Sequence, residues 1–167
     1  MKYNDFENKI AIQPVSNIEQ DFDELFILNN LLSPEESVDD FKLYFISFKN
    51  CFLKVTYQNR IIGFVSIMYP LWNRIGIIHH LIIKPEFQRQ GLATRLVKEI
   101  LHFAKTADLR FATVQTADWN TTAIQLYLRC GFKNQCVFDG YYGKQNNMVW
   151  LDIDLMKNET NFNRALP

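Results

Sequence analysis

The spacing of apolar residues predicts one strand and two helices in the first 50 residues. Residues 9–15 can form a short strand. Ser16 followed by Glu19 has the spacing of a helix capping box. The apolar face of this first helix would carry Ile18, Phe22, Leu25, Phe26 and Leu28. Ser33, Pro34 and Glu36 suit the N-cap, N1 and N3 positions of a second helix. Its apolar face would carry Phe41, Tyr44, Phe45 and Phe48.

From Cys51 the pattern changes to that of strands. Residues 51–57 and 61–69 flank a polar turn at 58–60, which predicts a hairpin. The segment 74–83 is apolar almost throughout, as expected of a central strand that is covered on both faces. Pro85 ends it, because proline cannot donate a hydrogen bond to the ladder.

The second half alternates helices and strands. A helix ending near Ala107 has an apolar face formed by Leu92, Leu96, Val97, Ile100, Leu101 and Ala104. A strand at 111–115 and a helix at 121–128 follow, with Gly131 placed for a left-handed helix end. Residues 133–142 and 148–155 can pair as a last hairpin. The order predicts an α/β (α+β) domain: a mixed, mostly antiparallel sheet of about seven strands, with about four helices on both faces.

Composition narrows the class of protein. The 167 residues suffice for one domain, predicted over 1–156 with a polar tail at 157–167. The 18 basic and 18 acidic residues balance, which argues against a nucleic-acid partner, and no apolar run is long enough to cross a bilayer. The three cysteines lack metal-ligand spacing and lie among apolar residues, so we expect a cytoplasmic protein with reduced thiols and no metal site.

The segment that suggests chemistry lies between a buried strand and a helix. The loop from Gln88 to Ala93 would aim several backbone N–H groups, with the positive helix end behind them, at one point. A phosphate group is the natural ligand, and Gly91 would let it approach the backbone closely. Arg89 and Lys84 add positive charge. An ordinary strand-to-helix turn with solvated charges is the alternative for this loop taken alone.

Two motifs together give a more specific indication. The first is Gln88-x-x-Gly91-x-Ala93, preceded by LIIKPEF at 81–87. The second is Asn120-x-x-Ala123-x-x-Leu126-Tyr127-x-x-x-Gly131-Phe132. In this order and fold the chain resembles the GNAT-type N-acetyltransferase superfamily, strongly over 75–132. The resemblance implies a direct-transfer N-acetyltransferase that uses acetyl-CoA and acts on a small-molecule amine or a peptide N-terminus, as a monomer or homodimer.

The resemblance also implies a cofactor site. The amides of 90–94 would hold the pyrophosphate of coenzyme A, and the pantetheine arm would lie beside the strand and bind main-chain groups of Leu81 and Ile83. The family often has a bulge there, which leaves unpaired backbone groups. The full set of expected cofactor-binding residues is Leu81, Ile82, Ile83, Gln88, Arg89, Gln90, Gly91, Leu92, Ala93, Thr94, Asn120, Ala123 and Tyr127.

Acyl transfer to an amine needs a base and an acid. Tyr127 matches the family's usual general acid, since a phenol with a pKa of ~10 keeps its proton at neutral pH. A half-buried tyrosine with a purely structural role is the alternative. For the base, the strand offers His79 and His80, and only one can point into the groove because adjacent strand residues face opposite sides. We favour His79 by position, although packing within the sheet explains His79 nearly as well and explains His80 better.

The acceptor is less well indicated. Expected acceptor-binding residues are His79, His80, Tyr141 and Tyr142, the last two because they resemble the last-hairpin tyrosines of N-terminal acetyltransferases. Strand propensity explains those aromatic residues as well. The acidic residues Glu35, Glu36, Asp39 and Asp40 would attract a cationic amine, but helix starts favour acidic residues in any case. The alternative functions are a non-catalytic acyl-CoA-binding sensor or interaction module and, more remotely, a nucleotide-binding domain.

Overall fold

A computed structural model describes residues 9–46, 49–70 and 72–157. Within these ranges the seven strands are β1 (Ile10–Pro14), β2 (Lys49–Tyr57), β3 (Arg60–Tyr69), β4 (Ile75–Ile83), β5 (Phe111–Ala117), β6 (Lys133–Phe138) and β7 (Met148–Asp154). The four α-helices are α1 (Ile18–Asn29), α2 (Val38–Ile46), α3 (Leu92–Thr106) and α4 (Thr121–Arg129). The predicted positions of Phe48 and of the tail beyond residue 157 lie outside the described residues.

The strands form one mixed sheet in the order β1-β2-β3-β4-β5-β7-β6. The pairing of β4 with β5 is parallel, and the other five pairings are antiparallel. The parallel pair is connected through α3, as parallel neighbours require a crossover. The mixed α/β fold with helices on both faces is therefore confirmed.

Two separate cores cover the two faces of the sheet. On one face, α3 buries the apolar stripe predicted from the sequence, and the start and end of this helix agree with the prediction. On the other face, α1 and α2 cover a cluster that we call the aromatic core, which consists of Leu25, Leu28, Phe41, Phe52, Ile61, Phe64 and Ile82. Phe41 is fully buried at its centre and contacts Phe22, Phe26, Phe45 and Phe64.

The predicted helix starts are displaced along the chain. Asn17, one residue after the predicted Ser16, caps α1 by accepting a hydrogen bond from the Gln20 amide at 3.3 Å. The second helix begins four residues later than the Ser33 signal, because Ser37 accepts from the Asp40 amide at 3.1 Å and caps it instead. Residues 34–35 form a turn. A cap side chain at either position satisfies the free amides of a first helical turn, so the sequence alone could not choose between the two signals.

The last hairpin is also shorter than predicted. Strand β6 ends at Phe138 and not at Tyr142, and β5 continues two residues further, to Ala117. The chain turns after Phe138, with Gly140 and Gly143 in the left-handed region and Asn147 accepting from the Gly140 amide at 2.9 Å. No helix among the described residues is long and apolar enough to span a membrane.

Candidate active site

The central feature of the site is a gap between β4 and β5. The two strands pair from Ile75 to Ile78 on β4 and from Phe111 to Val114 on β5. Beyond this point β4 continues to Ile83 beside β3 alone, and β5 continues to Ala117 beside β7 alone. The second half of β4 therefore has no strand partner on its β5 side.

The register of β4 against β3 aims free backbone groups into this gap. The Lys84 amide donates to the Ile62 carbonyl at 2.8 Å, and Leu81 and Ile83 lie opposite Val65 and Gly63. Because hydrogen-bonded and non-hydrogen-bonded pairs alternate in an antiparallel ladder, Leu81 and Ile83 belong to the pairs that do not bond to β3. Their N–H and C=O groups thus point towards the gap, where the Gln88 side chain already donates to the Ile83 carbonyl at 2.9 Å.

A β-bulge lies immediately before these residues. Ser66 is opposite His80, and Ile67 is opposite Ile78, so His79 has no partner on β3. A bulge of this kind shifts the alternation of side chains by one residue. As a result Ile78 and Leu81 contribute to the core under α3, while His80 and Ile82 face α1 and α2.

The gap opens into a cleft of about 660 Å³ between β4, β5, α3 and α4. Twelve of the predicted site residues line it: His79, Leu81, Ile83, Gln88, Arg89, Gly91, Leu92, Ala93, Thr94, Asn120, Ala123 and Tyr127. Five predicted residues lie outside its lining: His80, Ile82, Gln90, Tyr141 and Tyr142. The physical reason is clear for Ile82, which the strand alternation turns into the aromatic core.

The loop before α3 has the geometry of an anion site. Arg89 and Gly91 both have positive φ angles, of 60° and 79°, and Gly91 is the N-cap of α3 with no side chain capping the helix. The first-turn amides of α3 are therefore left for another acceptor. No acidic residue lies in that first turn to compete with an anion. A Cβ atom at Gly91 would meet no atom within 4 Å, so the space in front of these amides is open.

Tyr127 forms part of the opposite wall. It lies on α4, is 4% exposed and packs edge-on against Phe132 with ring centroids 5.3 Å apart. Burial raises the pKa of its phenol above the ordinary value. The phenol thus stays protonated throughout the neutral range while its side chain still lines the cleft.

Asn120 has the structural role that its position suggests and also lines the cleft. Its side-chain oxygen accepts from the Ala123 amide at 3.2 Å, which caps α4. The amide nitrogen of the same side chain remains a donor for another partner.

The two histidines of β4 have different environments. His79 reaches solvent at the cleft. The protein atoms packed around its ring nevertheless remove part of its hydration, which lowers its pKa, and the charge of Glu36 raises that pKa in part. His80 is 2% exposed and shares a 2.7 Å hydrogen bond with the Ser66 hydroxyl. Burial, together with the neighbouring His79, lowers the pKa of His80 to about 3, so His80 is neutral at all ordinary pH values.

Tyr141 and Tyr142 lie on the turn after β6, away from the cleft lining. They are 56% and 47% exposed and contact each other with ring centroids 5.1 Å apart. The sequence analysis placed both tyrosines at the end of the strand that begins at Lys133, but β6 ends at Phe138.

Several cleft residues escaped the sequence analysis. They are Leu32, Phe87, Val114, Gln115, Thr116, Thr122, Leu126 and Arg129. Phe87 and Leu126 lie within the two motifs, so the motifs could have suggested them. The β5 residues line the cleft because β4 separates from β5, and Leu32 does so because the segment after α1 reaches the cleft. Neither arrangement leaves a local sequence signal.

Comparison with known proteins agrees with this geometry. Residues 15–132 match the model of the Acetyltransferase (GNAT) family. An uncharacterized N-acetyltransferase of Methanocaldococcus jannaschii is 30% identical over 67 residues, which cover 40% of this chain and 30% of that protein. A thialysine N-epsilon-acetyltransferase of Sus scrofa is 24% identical over 81 residues, which cover 48% of each chain. The matches thus span less than half the length of these curated relatives.

A solved structure shares the fold. The spermidine N-acetyltransferase of Vibrio cholerae, in complex with CoA and spermine, superposes with a TM-score of 0.73 at 21% identity, covering 90% of this chain and 98% of that one. Because the family model covers more than half of the chain, the protein belongs to the GNAT acetyltransferase family. Acetyl-CoA is the cofactor of such enzymes, and the free backbone groups of β4 and the uncapped start of α3 suit its amide-rich arm and its phosphates.

Proposed function

We propose that this protein is an N-acetyltransferase that transfers the acetyl group of acetyl-CoA directly to a primary amine. The observation that carries the proposal is the cleft itself. Its lining combines unpaired main-chain groups on β4, an uncapped helix start, a buried phenol and a histidine. The acceptor in this proposal is a small-molecule amine or a peptide N-terminus, and the active unit is a monomer or homodimer.

The proposed base is His79. An ammonium group has no free electron pair, so the acceptor must lose a proton before it can react. Burial keeps the pKa of His79 below the ordinary ~6.5 of histidine, and its imidazole is therefore neutral and able to accept that proton at pH 7. His80 does not suit this role, because it is buried and already bonded to Ser66.

The proposed acid is Tyr127. Bound acetyl-CoA supplies an activated acetyl thioester, whose thiol must regain a proton when the acetyl group leaves. The raised pKa of Tyr127 keeps a proton on the phenol at neutral pH, and its place in the cleft wall puts that proton within the reaction space. The Ile83 amide, which does not bond to β3, is the proposed main-chain donor to the acetyl carbonyl oxygen.

Direct transfer is favoured over an acetyl-enzyme. None of the described residues that line the cleft is a cysteine. Burial raises the pKa of Cys51 to about 11 and also raises that of Cys130, which leaves both thiols protonated and poorly nucleophilic. Cys136 is exposed on the edge strand β6.

The printed activities of similar proteins support an amine acceptor. The porcine relative acetylates the ε-amine of thialysine by its name, and the Vibrio cholerae protein is a spermidine N-acetyltransferase bound to spermine. Both acceptors are primary amines attached to flexible chains.

The test is a thiol-release assay with acetyl-CoA and a panel of polyamines, aminoglycosides, amino acids and peptides with free N-termini. It is run beside a thermal-shift titration with coenzyme A. We expect stabilisation by coenzyme A and turnover with at least one class of amine. Stabilisation without any turnover would favour the acyl-CoA-binding sensor, and stabilisation by ATP but not by coenzyme A would favour a nucleotide-binding domain. Labelled acetyl retained stoichiometrically by the enzyme without acceptor would contradict direct transfer.

A further inference from the structure

A half-buried carboxylate acts on His79, although it is not itself among the residues that line the cleft. Glu36 follows the turn between α1 and α2, and its Oε2 accepts a short hydrogen bond from Nδ2 of Asn29 at the end of α1. The phenol of Tyr44 on α2 is close as well. Burial raises the pKa of that phenol, and a hydrogen bond to Glu36 and the negative charge of Glu36 raise it further. The Asn29 amide thus holds the carboxylate in place, and the neutral phenol of Tyr44 lies beside it.

Glu36 has no cationic partner among the residues that the structure describes. The contrast with Asp21 on the same face of the sheet is informative. Asp21 is also largely buried, but Lys54 neutralises it in a close ion pair. A partly buried carboxylate loses hydration, and an opposite charge normally compensates for that loss. At Glu36 the compensation comes from neutral side chains alone, and no residue that the structure describes supplies an opposite charge.

The position of Glu36 connects it with the reaction space. The Tyr44 ring lies against the His79 ring with centroids 4.4 Å apart, and His79 lines the cleft. Leu32, from the segment that leads to Glu36, lines the cleft too. The negative charge of Glu36 acts on His79, whose pKa it raises. The carboxylate is therefore a near neighbour of the proposed base.

Asn29 adds an independent observation. Its side chain is completely buried, and its Oδ1 has no hydrogen-bond partner within the described part of the chain. Burial of an unsatisfied amide oxygen destabilises the fold, and a leucine at this helix end would avoid that loss. The bond that Asn29 does make fixes the carboxylate of Glu36. Asn29 therefore fits the role of a support for the Glu36 carboxylate, whose charge remains available to a ligand.

We propose that Glu36 binds a second positive charge on the acceptor, while the reacting amine lies at His79. The acceptor would then be a diamine or polyamine, with one cationic nitrogen at Glu36 and the other at the acetyl-transfer point. Glu36 is the specificity-determining residue in this arrangement, and Asn29 and Tyr44 are positioning residues. The inference rests on the proposed acetyl transfer and deepens it by naming the class of amine.

The test compares two acceptors of equal chain length, butane-1,4-diamine and butylamine. The wild-type protein should prefer the diamine by about 10- to 100-fold in kcat/KM, the range expected for one charge-assisted hydrogen bond. The substitution Glu36→Gln, which keeps the size and one accepting oxygen for Asn29 but removes the charge, should abolish this preference by raising KM for the diamine with little change in kcat. Its kcat/KM with butylamine, which carries no second charge, should change far less than its kcat/KM with the diamine.

The matched control is Glu35→Gln, because Glu35 is the adjacent carboxylate and is exposed. This substitution should preserve the preference for the diamine. If the role of Glu36 were purely structural, Glu36→Gln would lower kcat/KM equally for both acceptors, and that outcome would overturn the inference. Equal wild-type kcat/KM for the two acceptors would overturn it as well, although acetyl transfer would stand.

A binding measurement separates this inference from the proposed function. Calorimetric titration of butane-1,4-diamine into the protein saturated with coenzyme A requires no turnover. Diamine binding that Glu36→Gln weakens about 10-fold or more, in a protein that acetylates no amine, would support the carboxylate site and refute the acetyl transfer. Absence of diamine binding to the wild-type protein would refute the carboxylate site whatever the activity.

Discussion

The two ends of the cleft present different kinds of chemical group. At the cofactor end, the groups that face the cleft are mainly backbone amides and carbonyls of β4 and of the first turn of α3. At the proposed acceptor end, a side chain faces the cleft: His79, which packs against Tyr44, with the Glu36–Asn29 pair behind it and outside the cleft lining. The first end rests on a strand pairing and a helix start, and the second on contacts between α1, α2 and β4.

A difference of this kind would allow proteins to share a cofactor and differ in acceptor. A backbone site depends on φ angles and strand register, which tolerate few residue changes at Gly91 and many elsewhere. A side-chain site changes with each substitution in it. Variants should therefore affect coenzyme A and the amine separately, and the predictions that follow test this separation.

The largest effect is expected at Gly91. Gly91→Glu places a carboxylate in front of the α3 amides and should weaken coenzyme A binding by about 100-fold or more, through steric block and charge repulsion. Gly143→Glu is the matched control, because Gly143 also has positive φ and open space around its Cβ position, on the turn after β6. Calorimetry with coenzyme A measures both. Unchanged affinity in Gly91→Glu would place the pyrophosphate elsewhere.

The second-largest effect should come from removing one hydroxyl group from the cleft wall. Tyr127→Phe should lower kcat about 100-fold, the lower range for loss of a general acid, while the Kd for coenzyme A changes less than about twofold. Tyr57→Phe serves as control, since Tyr57 is also largely buried but does not line the cleft. A rate equal to that of the wild type would exclude Tyr127 from proton transfer.

A change in the aromatic core should act on the acceptor alone. Phe41 contacts both Tyr44 and His80, so Phe41→Leu should loosen the support of the acceptor end. We expect the amine KM to rise up to about 10-fold, equivalent to about 1.4 kcal/mol, and the Kd for coenzyme A to stay constant. Leu101→Met repacks the core under α3 and should leave the amine KM unchanged. Parallel loss of both affinities in Phe41→Leu would contradict the separation of the two ends.

The smallest effect concerns pH. The pKa of His79 is lowered, so His79 loses its proton below the ordinary ~6.5, and kcat should fall only when acidification passes that lowered pKa. The groups that face it are Glu36, Tyr44 and His80, of which Glu36 raises the pKa of His79. The fall in kcat on acidification forms the acidic limb of the pH profile. Glu36→Gln removes the negative charge near His79, so this limb should move to still lower pH. His79→Gln should abolish the limb, and His102→Gln, on the exposed side of α3, should preserve it. If the acidic limb of the kcat profile persists in His79→Gln, another residue is the base.

Much of the cofactor end could be predicted from sequence. Gly91 and the apolar stripe of α3 are local patterns, because a helix start and a helical face involve residues close together in the chain. The choice between His79 and His80 depended on the bulge at His79, which the sequence does not mark. The alternation of side chains along a strand predicts only that the two histidines face opposite sides. Position in the motif favours His79.

The acceptor end could not be predicted in the same way. Glu36 was assigned to the first turn of a helix, but the helix begins at Val38 under the Ser37 cap, which leaves Glu36 free to meet Asn29. Tyr141 and Tyr142 were assigned to a strand that ends before them. Both assignments depended on where elements end, and these boundaries result from competing caps and turns rather than from hydrophobic spacing.

The central claim is that coenzyme A occupies the gap between β4 and β5 and binds its free backbone groups. Residue-resolved amide hydrogen exchange, with and without saturating coenzyme A, tests it most directly. The Leu81 and Ile83 amides should become strongly protected on binding, while that of Ile82, which is bonded to β3, should change little. Saturation of the protein with no added protection at Leu81 and Ile83 would contradict the account.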